Sequence, residues 1–265
     1  MRRLIPFVAL SALASSSYAS YTPPLYRVRI DQDLRTHSPS LFYAATDRDS
    51  QQLTLGLQAI GAQYVFEQEW SRGLGVQAAA SVAHARLTAT FGAVDGEQAI
   101  GYALGGQVRA FHMIWSSNED AEWDKDGEPR PHALTAFVNV RGFGYSATGR
   151  ARGLPDFRAD HLVISGGIGA MAELVVAPWL SICPYAWFSP TLYTSTSYRV
   201  EGGADNRVAA GAGVTQPLRA GLDVWIYPFG VDSESHLSLS AISSLFDTDE
   251  ASDAVETSFV LSYSF

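Results

Sequence analysis

The sequence predicts an all-β fold, a closed antiparallel up-and-down β-barrel of about ten strands that spans a membrane. Three observations carry this expectation. Segments in which apolar and polar residues alternate with a period of two recur along the chain. The N-terminus is laid out as an export signal. Beyond it, no stretch of roughly 20 apolar residues is available to cross a bilayer as a helix.

The N-terminal segment begins Met1-Arg2-Arg3, continues with the apolar run Leu4 to Ala14, and ends in the polar stretch Ser17-Tyr18-Ala19. This three-part layout predicts a signal peptide over residues 1–19, cleaved after Ala19. Its apolar core is too short to cross a bilayer as a helix. With no Pro/Ser/Gly-rich linker in the remainder, residues 20–265 are expected to form a single barrel domain. The net charge of −9 includes Arg2 and Arg3, so the mature chain is more acidic still. It has nothing to drive binding to nucleic-acid phosphates.

Cys183 is the only cysteine, which excludes disulfides within the chain and thiolate metal sites. No cysteine follows the expected cleavage site, which argues against a lipid anchor. Lys125 is the only lysine, so almost all the basic side chains are guanidinium groups. Codon bias explains that adequately, although arginine also suits ion pairs in a lumen.

The C-terminal segment alternates most clearly. Val255, Thr257, Phe259, Leu261, Tyr263 and Phe265 lie on one face, and Glu256, Ser258, Val260, Ser262 and Ser264 on the other. Comparable segments run Leu53 to Trp70, Leu74 to Phe91, Ile100 to Trp115, Ala133 to Thr148, His161 to Ala177, Leu180 to Tyr198, Arg207 to Tyr227 and His236 to Phe246. Their apolar faces, expected to meet lipid, include Leu53/Leu55/Leu57/Ala59, Leu74/Val76/Ala78/Ala80/Val82, Ile100/Tyr102/Leu104, Leu162/Ile164/Ile168/Ala170 and Leu222/Val224/Ile226. Ile60 and Pro217 mark places where a bulge or a slip of phase is possible. A sheet in hydrocarbon cannot leave an edge unpaired, because each orphan N–H or C=O costs several kcal/mol, so these strands must close on themselves.

Connection lengths set the expected orientation, since such barrels have tight periplasmic turns. Ser71-Arg72-Gly73 and Pro178-Trp179 are the two tightest links, and four segments separate them. Both then lie at the periplasmic end, as does the C-terminus. A periplasmic N-terminus requires one further strand before Leu53, within Tyr26 to Ile30 or Leu41 to Thr46. Ten strands result, with eight or twelve as open alternatives. The linker Ser116 to His132 sits awkwardly, because it is the longest clear connection and falls on the periplasmic side. Aromatic residues are expected in two interfacial rows, Trp70, Trp115, Trp179, Tyr227 and Phe265 at the periplasmic rim, and Phe91, Tyr145, Tyr198 and Phe246 at the outer rim.

The last residues, Phe259, Leu261, Tyr263 and Phe265, resemble the C-terminal assembly signal of bacterial outer-membrane β-barrel proteins. The resemblance implies insertion into the Gram-negative outer membrane by the barrel-assembly machinery, with the last strand closing against the first. Glycine- and alanine-rich hairpins such as Ala172 to Pro184 resemble those of small OmpA-type barrels and autotransporter translocator barrels. Only about thirty residues precede Leu53, so an autotransporter would be a solitary barrel.

On the face opposite the apolar residues lie Gln107, Arg109, Asn139, Arg141, Glu173, Arg219 and Asp223. Arginines facing carboxylates across a narrow lumen are expected to form charge-assisted hydrogen bonds. Such a network fits either a polar plug or the charged lining of a selective pore. Complete catalytic sets are missing. His236 and Ser238 share the His-x-Ser spacing of outer-membrane phospholipases, but Leu239 and Ser240 follow where that family has Asn and Gly, and no third partner can be named. Asp160 and His161 are adjacent and therefore point to opposite faces of a strand, unlike the Asp-x-His element of omptin-type proteases. His84 and His112 have no second imidazole two residues away, so no metal site is predicted. The acidic stretches Glu119 to Glu128 and Asp247 to Asp253 read as solvated loops, with shared cations to lipopolysaccharide as an alternative.

The expected function is a non-enzymatic outer-membrane barrel acting as a small pore or as a structural or interaction protein, with no cofactor and with outer-membrane lipid, lipopolysaccharide and the assembly machinery as partners. An outer-membrane hydrolase or acyltransferase, a solitary autotransporter-type barrel and a secreted β-sandwich binder are the alternatives.

Overall fold

The computed structural model describes residues 35–49, 53–71, 73–91, 94–117, 132–150, 157–200, 206–208, 218–228, 236–246 and 254–264. The signal segment, the acidic linker 118–131, the acidic stretch 247–253 and Phe265 lie outside these residues.

Twelve strand segments follow one another: β1 (Arg35–Asp49), β2 (Leu53–Ser71), β3 (Leu74–Phe91), β4 (Val94–Ser116), β5 (Ala133–Arg150), β6 (Phe157–Ala177), β7 (Leu180–Phe188), β8 (Thr191–Val200), β9 (Asn206–Val208), β10 (Leu218–Ile226), β11 (His236–Phe246) and β12 (Ala254–Ser264). β7 and β8 are two parts of one stave, since both pair with β6 and only Ser189-Pro190 separates them. Proline has no N–H to give to a ladder, so the pairing breaks there. β9 and β10 likewise continue one line, β9 beside β8 and β10 beside β7. Ten staves therefore stand side by side, all antiparallel. Of the two candidate first strands, the one containing Leu41 to Thr46 is present, as part of β1; Tyr26 to Ile30 lies outside the described residues.

The ring closes. β1 pairs with both β2 and β12, and β5 with both β4 and β6. The register can be followed once around, from Arg35 through Gln68, Val76, Ala110, Val138, Ile168, Phe188, Leu218, Leu245 and Val255. It returns to β1 at Asp49 instead of Arg35. This stagger of fourteen residues over ten staves requires the strands to tilt by about 44° around a barrel of roughly 11 Å radius.

The two faces are inverted relative to a soluble protein. On β4, Tyr102, Leu104 and Val108 point outward at 68%, 64% and 55% exposure, while Gln107 and Arg109 between and beside them are buried to 5% and 1%. Ile60, Tyr64, Val82, Val138, Val140, Ile168, Leu218 and Leu239 repeat the pattern on other strands. Apolar side chains face out because hydrocarbon, not water, surrounds the wall. From Tyr102 to Ile114 on β4, the outward apolar row spans about 28 Å along the barrel axis, near the thickness of a bilayer core. At one end, Trp70, Trp115 and Trp179 are exposed beside the turns that follow β2, β4 and β6.

Three expectations are corrected. Ala59, the one member of the row Leu53/Leu55/Leu57/Ala59 whose side chain is described, faces the lumen instead of lipid, and Ile60 beside it faces out. Alternation holds along β2, but its phase is set by Ile60 and Tyr64, and small Ala59 and Gly61 fill the inside. Tyr145 and Tyr227, expected in the interfacial rows, are buried inside at 3% and 4%. An aromatic near a strand end serves the lumen as readily as the interface, and strand parity decides which. Finally, β3 and β4 are joined by only two residues, so tight links occur at both ends of the barrel.

Candidate functional site in the barrel lumen

Neighbouring strands bring one inward row to a common level: Glu67 on β2 pairs with Gln77 on β3, Gln77 with Arg109 on β4, Arg109 with Asn139 on β5, and Asn139 with Gly167 on β6. Each is at an alternate position of its strand, so the pleat sends the side chains into the lumen. Gln77 Nε2 donates to Glu67 Oε2 at 3.0 Å, and Arg109 Nη1 donates to Gln77 Oε1 at 3.1 Å. With the Gln107 amide oxygen turned toward Arg109, it accepts from Nη2 at 2.8 Å and from Nε at 3.2 Å. The guanidinium also lies 4.8 Å from the Phe137 ring centroid, a cation–π distance.

All seven residues singled out in the sequence, Gln107, Arg109, Asn139, Arg141, Glu173, Arg219 and Asp223, are buried on inward faces. They stand at several levels of the lumen. Arg141 Nε donates to Ser165 Oγ at 2.7 Å one level away, and Ser181 Oγ donates to Glu173 Oε1 at 2.8 Å toward the tryptophan-bearing end. Asp223 takes hydrogen bonds from Ser240 and Tyr185. Arg219 lies 5.9 Å from the centroid of Trp187. Asn139 stands out, because neither its Oδ1 nor its Nδ2 has a partner.

Below the row, Phe111, Phe137, Met171, Cys183, Trp187, Trp225 and Tyr227 pack into one apolar cluster inside the barrel, with Tyr185 against it. Gly169 makes this possible, since a Cβ there would stand 2.4 Å from Trp187 Cβ and 2.6 Å from Phe137 Cζ. Sequence reasoning found the charged residues from their alternation. It missed Glu67, Glu69 and Gln77, and it missed the aromatic cluster. Their signal was present: Glu67 and Glu69 fall on the face opposite Tyr64 and Trp70.

Two other expectations meet the structure here. Ser238 is buried on the inward face of β11. Asp160 faces outward, accepting from Ser146 Oγ at 2.6 Å and paired with Arg158 Nε at 3.2 Å. His84 and His112 are exposed on the outer face, His84 edge-on to Tyr102 at 5.6 Å. Among the described residues, no group of His, Cys, Asp and Glu is arranged to hold a metal ion.

No family model matches the chain, and no curated protein matches it. Solved structures do. The chain is similar to the outer membrane protease OmpT of Escherichia coli, with 9% identity over 92% of this chain and 98% of that one, and a TM-score of 0.51. It also matches the beta domain of the Bordetella autotransporter BrkA at 13% identity over 86% and 98%, TM-score 0.47. A third match is an outer membrane channel from Pseudomonas putida, at 10% identity over 93% and 100%, TM-score 0.45. At such identities the likeness to OmpT shows the fold, that of an outer-membrane β-barrel, and nothing of the chemistry.

Proposed function

We propose that this barrel sits in the Gram-negative outer membrane and works without catalysis as a narrow, polar-lined pore for small solutes. The observation that carries the reading is the inward row from Glu67 through Gln77 and Arg109 to Asn139. A barrel needing only to be stable gains nothing from burying a half-satisfied polar row, since each unpaired buried group costs about 1–3 kcal/mol. Aligned charged and amide groups at one level of a lumen are instead suited to selecting what passes.

A second reading has its own support. The apolar cluster around Trp187 and Trp225 fills the lumen on the β4 to β10 side, which favours a closed structural or interaction barrel. A hydrolase has less to stand on, because Ser238 is buried on the inward face and Asp160 faces outward, paired with Arg158.

The reading includes the rest of the envelope route: export through residues 1–19, recognition of Phe259, Leu261, Tyr263 and Phe265 by the assembly machinery, and an acidic outer stretch, Asp247 to Asp253, that shares divalent cations with lipopolysaccharide. Planar-bilayer recording on refolded protein tests the central point. Small, discrete conductance steps that change in an Arg109→Ala variant are expected. A barrel that inserts but stays silent would sink the pore and leave the structural reading.

A further inference from the structure

We infer that the lumen wall carries a binding site for a small carboxylate, bounded by Asn139, Ser189, Trp187 and Arg109. This deepens the pore reading, on which it rests, by naming the solute class.

The polar row is complete on one side and open on the other. Glu67, Gln77 and Arg109 are joined by hydrogen bonds. Beyond Arg109 the row continues to Asn139, then to Gly167, and then to Ser189, whose Cα lies 2.9 Å from where a Gly167 Cβ would stand. Gly167 puts no side chain between Asn139 and Ser189, and the Phe188 backbone carbonyl comes close there, its oxygen 2.0 Å from where a Cβ would stand. Asn139 is 1% exposed with both amide ends unpartnered, and Ser189 is 1% exposed with an unpartnered Oγ. One level toward the tryptophan-bearing end, Trp187 is 3% exposed and its Nε1 has no partner.

The donors outnumber the acceptors. Asn139 Nδ2, Ser189 O–H and Trp187 Nε1–H all lack an acceptor, and Arg109 supplies positive charge beside them. Arg109 hydrogen-bonds the neutral Gln77 and Gln107, while Asp223 and Glu67 act on it electrostatically with no direct ion pair among the described residues. A buried guanidinium without a carboxylate in direct contact is costly. Arg141 and Arg219 add cationic charge on neighbouring positions of the same wall. The carboxylates inside have other hydrogen-bond partners: Glu67 bonds Gln77, Glu69 the Gly73 N–H, Glu173 Ser181, and Asp223 Ser240 and Tyr185, although Asp223 Oδ1 has none. An oxyanion would accept from the open donors beside the Arg109 guanidinium. The flat rings of Phe137 and Trp187, closing on Gly169 just below, favour a planar carboxylate over a tetrahedral anion.

The test is thermal unfolding of the refolded full chain in detergent micelles, in acetate, sulfate, chloride or neutral acetamide at equal concentration, about 100 mM. A ligand that binds only the folded state raises the midpoint, and acetate is expected to raise it by roughly 2–6 °C. Asn139→Leu should lose that rise. Asn139→Asp places a carboxylate beside Arg109, so it should melt higher than wild type without acetate and gain nothing from it. An equal rise with acetamide, chloride or sulfate, no rise with acetate, or an undiminished rise in either variant would overturn the site. Should Asn139→Leu not refold, Asn139→Asp decides alone. The measurement needs no conductance, so a barrel silent in bilayers that still answers to acetate would lose its pore reading and keep this site.

Discussion

Gln77 accepts a hydrogen bond from Arg109, 3.1 Å from Nη1 to Oε1, and the same amide donates to Glu67 at 3.0 Å. One neutral side chain thus links a buried cation to a buried anion two strands away. The amide stands between the two charges and satisfies one lone pair and one guanidinium proton together. Gln77→Leu fills similar volume and removes both bonds. It should lower unfolding stability in micelles by about 2–4 kcal/mol, since it strands two buried polar groups. A loss below about 0.5 kcal/mol in urea titration, within the scatter of ordinary surface changes, would show the relay to be incidental.

Gly73 closes the turn between β2 and β3 with φ of 71°, and a Cβ there would stand 2.4 Å from Met113 Cβ. Its carbonyl accepts from Met113 N–H at 2.7 Å, and its own N–H donates to the Glu69 carboxylate. The left-handed backbone and the close approach both require glycine. Gly73→Ala should cost about 1–3 kcal/mol, read from the same unfolding titration. Glu69→Gln keeps an acceptor for the N–H and should be milder. Equal losses in the two variants would point to the carboxylate charge and away from the backbone.

How far the fold was readable from residues depended on what enforces each feature. Hydrocarbon penalises every exposed polar group, so Ile100, Tyr102 and Leu104 marked the lipid face of β4, and Gln107 and Arg109 followed as lumen residues by parity. The first stave was harder, since Tyr26 to Ile30 alternates as well as Leu41 to Thr46 does. Only the pairing of β1 with β12 distinguishes them. Inside the barrel no such rule acts, because a lumen accepts Phe111 and Trp225 beside Arg109 and Asp223. Tyr145 and Tyr227 were misplaced for that reason. Individual partners were out of reach too: Asn139 and Arg141 read alike in the sequence, yet Arg141 bonds Ser165 while the Asn139 side-chain amide has no partner.

Depth in the membrane should decide the effect of an outward charge. Val108 is exposed midway along the outward row of β4, whereas Trp115 lies at its end beside the linker. Val108→Arg should destabilise the folded barrel in lipid vesicles by about 2–4 kcal/mol, and Trp115→Arg by about 0–1 kcal/mol. Comparable effects at both sites, measured by reversible urea unfolding, would mean that the exposed apolar rows do not face lipid. In that case the whole orientation of inside and outside would need reversing.

Closure itself is open to a covalent test. Tyr43 on β1 is the register partner of Leu261 on β12, and both side chains are exposed on the outer face. Directly opposed residues of an antiparallel pair have Cα atoms about 4.5–5.5 Å apart, within the range a disulfide spans, whereas positions offset by two are about 7–8 Å apart. With the buried Cys183 replaced by alanine, Tyr43→Cys with Leu261→Cys should therefore cross-link readily on mild oxidation, and Tyr43→Cys with Tyr263→Cys should not. The bonded form is expected to keep the compact gel mobility of a folded barrel when heated, because its first and last strands can no longer part. Preferential bonding in the offset pair would shift β1 against β12 by two residues. Such a slip changes the stagger of fourteen, and with it the strand tilt and the level at which Arg109 meets Asn139.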